Sequence, residues 1–124
     1  MNFFYPDDDG FFFFSRRQAP PVEDQPRMNA HSWRLIQTFS GDLHLATLRH
    51  RMADRGVVRL SSAISTVDIN TRTMTTSSGR SYVLIGPPEE RHLEYNALFA
   101  GIARLGISDG MDVSTAVWSL MRDG

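Results

Sequence analysis

The chain has 124 residues, a formal net charge of −1, 41% hydrophobic and 22% charged residues, and no cysteine. This length supports one modest core, and the composition argues against wholesale disorder. The absence of thiols rules out disulfide frameworks, thiolate metal sites and cysteine nucleophiles, and no stretch approaches the roughly 18 apolar residues of a membrane helix.

Residues 2–17, NFFYPDDDGFFFFSRR, hold six of the eight phenylalanines beside three consecutive aspartates. Asp7, Asp8 and Asp9 interrupt the apolar run and no cationic start precedes it, so a secretion signal is not expected. A cytoplasmic or virion- or assembly-associated location follows. Rings this dense need a surface, because burying each one is worth roughly 1.5–3 kcal/mol. The expectation is that Phe3, Phe4, Tyr5, Phe11, Phe12, Phe13 and Phe14 form an extended aromatic arm, docked on this chain's own sheet or on a partner. Residues 18–27, QAPPVEDQPR, hold three of the six prolines and no apolar periodicity, and read as a polar linker. The arm and linker thus occupy 1–27, and one α+β domain occupies 28–124.

Trp33, Leu35, Ile36 and Phe39 form a short apolar run read as a strand. Ser40, Gly41 and Asp42 carry helix-start chemistry, Leu45, Leu48 and Met52 recur at helical spacing, and Gly56 is a natural stop, so a helix is expected over 42–54. Residues 62–88 are rich in Thr, Val, Ile and Tyr, are punctuated at Asn70 and at Ser77-Ser78-Gly79, and read as a β-meander of three to four strands. A three-residue turn with Gly79 left-handed pairs Thr76 with Arg80 and Met74 with Tyr82. That register places Met74, Tyr82 and Leu84 on one face and Thr73, Thr75 and Ser81 on the other. Pro88, Glu89 and Glu90 suit a first helical turn, starting a helix to about Arg104 with Tyr95, Leu98, Phe99 and Ile102 on one face, while Arg91, Glu94 and Arg104 need no burial. Asp112 or Ser114 opens a last helix with a stripe of Val113, Val117, Leu120 and Met121. The two helices are expected to pair as a hairpin covering one face of the meander.

No catalytic or nucleotide-binding motif occurs. His31, His44, His50 and His92 share no metal-ligand spacing, so neither metal, cofactor nor enzymatic activity is expected. The charge layout is the stronger signal. All thirteen basic residues are arginine; residues 27–85 carry eight of them against three Asp, a net of +5, between two flanks of −3 each. With 42–54 helical, His44, Leu48, Arg51 and Arg55 share a face. Guanidinium groups bind carboxylate or phosphate in bidentate fashion. The sequence therefore points to a non-enzymatic protein-interaction protein of bacterial or phage type, a subunit of a larger assembly or a small inhibitor or adaptor. It would dock a protein partner or a second copy through the aromatic arm and Arg49, Arg51, Arg55 and Arg59. The alternative is a nucleic-acid-associated regulator binding phosphate through Arg49, Arg51, Arg55, Arg59, Arg72 and Arg80.

Overall fold

The computed structural model describes residues 2–4, 13–15, 26–52 and 55–123, with side chains described at 26–49 and 56–122. The strands are β1 (Asn2–Phe4), β2 (Phe13–Ser15), β3 (Arg27–Ala30), β4 (Trp33–Gln37), β5 (Leu43–Met52), β6 (Arg55–Leu60), β7 (Ile64–Asp68), β8 (Thr73–Thr76), β9 (Ser81–Leu84) and β10 (Met111–Asp112); the helices are α1 (His92–Arg104) and α2 (Ser114–Asp123). They build an α+β fold of two sheets, six-stranded in the order β1-β2-β6-β5-β4-β10 and four-stranded in the order β3-β9-β8-β7.

Two turns of one kind set the registers. In Thr76-Ser77-Ser78-Gly79-Arg80, Gly79 N–H donates to Thr76 O at 2.9 Å and Thr76 N–H to Arg80 O at 2.8 Å. Gly79 has φ +96°, a left-handed conformation that costs glycine nothing. The expected three-residue turn follows, and Met74 pairs with Tyr82 and Thr75 with Ser81. Thr38-Phe39-Ser40-Gly41-Asp42 repeats the geometry, with Gly41 N–H on Thr38 O at 2.9 Å and Thr38 N–H on Asp42 O at 2.8 Å.

That second turn overturns the helix expected over 42–54. Ser40, Gly41 and Asp42 close a hairpin, and Leu43–Met52 is a strand that pairs with β4 on one side and β6 on the other. Gly56 sits inside β6 opposite His50 instead of ending a helix. Leu45 packs with Trp33, Leu35, Met74, Tyr82, Leu84 and Met121, while Ala46 and Leu48 pack with Ile36, Val58, Ala97, Leu98 and Ile102. A strand buried on both faces has no apolar-polar alternation, so its leucines imitate helical spacing.

The core therefore has two layers. α1 covers one face of the six-stranded sheet through Ala97, Leu98 and Ile102. The four-stranded sheet and α2 cover the other, through Met74, Tyr82 and Leu84 and through Val117, Trp118 and Met121, with Val113 just before the helix packed beside them. The helices thus lie on opposite faces and do not form the expected hairpin. The expected meander is present as β7, β8 and β9, but β3 extends it in parallel beside β9, and it is one sheet of two. Leu120, assigned to the buried stripe of α2, is 64% exposed. The N-terminal segment is not a free arm: β1 pairs with β2, and β2 runs parallel to β6, Phe13 opposite Val57 and Phe14 opposite Val58.

Gly110 precedes β10 where that strand closes on β4. A Cβ there would collide with the Ile36 Cγ2 and press on Ile107, and Ile36 is 2% exposed. Gly110→Ala is expected to cost about 1–3 kcal/mol, the usual penalty of overpacking, read as a lowered denaturation midpoint at unchanged slope.

Candidate functional site

Two polar constellations stand out, and they differ in whether their groups are satisfied. The first joins the start of β4, the start of α1 and β10. Trp33 and Leu35 face the four-stranded sheet, so Arg34 between them must face the α1 side, where it is buried. Its Nε donates to Glu89 O at 2.9 Å, its Nη1 pairs with Asp112 Oδ2 at 2.9 Å, and its guanidinium lies 4.8 Å from the centre of the Tyr95 ring. Asp112 in turn accepts from Ser114 N at 2.9 Å and Ser114 Oγ at 2.5 Å, opening α2, and Ser114 Oγ accepts from Leu35 N at 2.7 Å.

The sequence places Glu89 in the first turn of a helix. Instead α1 starts at His92, and the Glu89 carboxylate is buried. Its Oε1 accepts from Ser32 Oγ at 2.6 Å and Arg91 Nη2 at 2.8 Å, and its Oε2 from the N–H groups of Glu90 and Arg91 at 3.1 and 3.2 Å. Arg91 also pairs with Glu94 at 3.0 Å, and Glu94, which the helical pattern did not require to be buried, is buried. Burial by itself would raise the Glu89 pKa. Hydrogen bonds from the Arg91 side chain, the Ser32 hydroxyl and the Arg91 N–H, together with the Arg91 charge, outweigh it and lower the pKa from 4.5 to about 2.

A depressed carboxylate stabilises the fold above its unfolded pKa and loses that contribution as pH falls through the folded value. The Glu89 contribution should be complete above about 4.5 and vanish as pH falls through about 2. Denaturation midpoints of wild type and Glu89→Gln are expected to converge over that window and stay apart above it; a constant difference would show that Glu89 is not the group titrating. Every group in this network has a partner, so it is a clip between elements and offers nothing to a ligand.

The second constellation is open. A cleft of about 670 Å³ lies between β3 and β5, lined by Pro26 to Ser32, by Thr47, Leu48 and Arg49, and by Tyr82 and Arg91. It holds the cations Arg27, Arg49 and Arg91 together with His31, and no carboxylate is among its described lining residues. Arg27 and Arg49 are exposed and enter no ion pair among the described residues. The cleft exists because β4 is short: its pairing with β5 ends at Trp33 and Thr47, and one further bond, Leu48 N–H to Ser32 O at 2.9 Å, closes the contact before the chain turns away into β3.

Of the residues anticipated from sequence, Arg49 alone is among the described residues that line this cleft. Arg59 stands opposite Thr47 on β6. Arg80 is 5% exposed, and Arg72 lies 4.6 Å from the Trp118 ring centre, so the six arginines proposed for phosphate do not form one exposed surface. Arg51 and Arg55 fall on β5 and β6, and Phe3, Phe4, Phe13 and Phe14 on β1 and β2, with side chains outside the described set; Tyr5, Phe11 and Phe12 lie outside the described residues. Arg27, His31 and Arg91 were missed. Arg27 closed the linker in the sequence reading, and only the pairing of β3 with β9 turns it toward Arg49.

His44 Nδ1 lies 2.9 Å from Ser61 O, and His92 Nε2 lies 3.2 Å from Asn96 Nδ2. Among the described residues no group of three His, Asp or Glu could hold a metal ion, and no helix is long and apolar enough to cross a membrane. No protein-family model matches the chain, and neither a curated protein nor a solved structure matches it. The functional reading therefore rests on this geometry.

Proposed function

We propose that this chain is a non-enzymatic interaction protein, a subunit or adaptor that docks an acidic protein partner in the cleft between β3 and β5. The observation that carries the reading is the gathering of Arg27 and Arg49, which enter no ion pair among the described residues, with His31 around an open cleft that has no acid among its described lining residues; Arg91, also in its wall, is already paired with Glu89 and Glu94. Uncompensated like charges raise the potential of a concave surface and favour a partner of opposite sign, whose docking also speeds encounter. Arg34 and Asp112, by contrast, pair with each other inside the fold, and Glu89 and Glu94 pair with Arg91.

A photo-crosslinking residue at exposed Asn29 tests this in the host cell. A discrete protein adduct, lost in the Arg27→Glu/Arg49→Glu double variant, is expected. If instead no protein is captured and the purified chain binds labelled single- or double-stranded oligonucleotides with an affinity that falls steeply with salt, the protein-docking reading fails and phosphate recognition replaces it.

A further inference from the structure

We infer that the cleft recognises its partner as an extended acidic peptide that adds as a new strand to the free edge of β3. This deepens the docking reading above and rests on it.

β3 is the outermost strand of the four-stranded sheet. Pro26 O and Ala30 O accept from Ser81 N and Ile85 N of the β9 side, each at 2.9 Å. Backbone groups alternate sides along a strand, so those of Arg27 and Asn29 point away from β9. Both residues line the cleft, and no backbone bond to either, outside the β9 ladder, is present among the described residues. Met28 and Ala30 pack on the core beside Tyr82 and Leu84, which fixes β3 as a rigid template.

Such an edge is a ready acceptor for another strand. Proteins usually blunt one with inward-pointing charges, proline or a covering element. Among the described residues the unpaired charges beside the edge are Arg27 and Arg49, both cationic, which repel a basic strand and attract an acidic one. In strand addition the main-chain bonds supply affinity and the alternate side chains supply selectivity. An occupant with Asp or Glu at every second position would set its carboxylates against Arg27 and Arg49 while its amides bond Arg27 and Asn29. A polynucleotide fits less well: the edge presents neutral N–H and C=O groups at two-residue intervals, and the remaining arginines that might track phosphates are dispersed, Arg80 buried and Arg72 stacked on Trp118.

The test uses the full chain, isotope-labelled, titrated with a synthetic seven-residue peptide alternating Glu with Thr and Val. Two further versions carry N-methyl groups on one or the other alternate set of amides. The parent peptide is expected to shift the amide signals of residues 27–31. One N-methylated version should bind at least about tenfold more weakly, the loss of about two main-chain bonds, and the other should bind as the parent does. Arg27→Glu and Arg49→Glu, both at exposed positions and checked for an unchanged spectrum elsewhere, should each weaken binding of the parent peptide, and a Lys-for-Glu peptide should not bind the wild type. Equal binding of all three versions would overturn strand addition while leaving acidic docking intact. Absence of any shift at 27–31 would overturn the inference, and displacement of the peptide by an oligothymidine would overturn it together with the docking reading.

Discussion

Arg34→Ala is expected to lower the stability of the fold by about 3 kcal/mol or more, the cost of removing one partner from a buried ion pair. The side chain is 8% exposed and its partner Asp112 27%, so the stranded carboxylate regains only part of its hydration. The Glu89 carbonyl loses a donor at the same time, and the Tyr95 ring loses the cation beneath it. Because Asp112 also opens α2 through Ser114, the loss should reach the helix on the far face of the sheet, visible as faster amide exchange at the start of α2. Arg34→Met, which refills the volume but not the charge, should recover part of the difference, since apolar replacement of buried ions is often tolerated. Urea denaturation measures both; a loss below about 1 kcal/mol for the alanine variant, the range of an exposed pair, would show that the clip does not hold these elements together.

Deleting residues 1–17 should leave the core folded and make the chain self-associate. β2 occupies the outer edge of β6, and without it the six residues of β6 present a bare edge flanked by Val57 and Val58, both buried in the intact chain. An uncovered, apolar edge pairs readily with its own kind. Light scattering should show concentration-dependent growth of the truncated chain under conditions where the full chain does not grow, with its circular dichroism still that of a folded α+β protein. The opposite result is equally informative. A truncated chain whose size stays that of the full chain would mean that the edge is not what the arm covers, and would return the aromatic segment to the role of docking on a partner.

The turn at Ser77-Ser78-Gly79 was legible to the residue, because a glycine after two small polar residues, between strands whose apolar positions match in only one register, leaves a single good pairing. Phe39-Ser40-Gly41 carries the same signal, yet Ser40, Gly41 and Asp42 also read as a helix start. Ser and Asp serve N-caps and turns by one chemistry, a side-chain oxygen near free backbone N–H groups, so the flanking pattern had to decide. That pattern misled, since Leu45, Leu48 and Met52 belong to a strand with core on both sides. The candidate site was legible in sign but not in place: the excess of arginine over residues 27–85 was plain, yet Arg49 meets Arg27 and Arg91 only through the crossing of the chain from β3 to β4.

The amino-acid sequence by itself determined the α+β class, both helices, the β7 to β9 hairpins with the pairing of Met74 and Tyr82, and the basic middle. These follow from local periods, turn chemistry and charge counts, each set within a few residues. Tertiary structure alone decided that Leu43–Met52 is a strand, that α1 and α2 take opposite faces, that Glu89 and Arg34 turn inward, and that β3 and β5 leave a cationic cleft between them. Those choices depend on which surfaces are buried against which, an energy that exists only between segments far apart in the chain and so leaves no local trace.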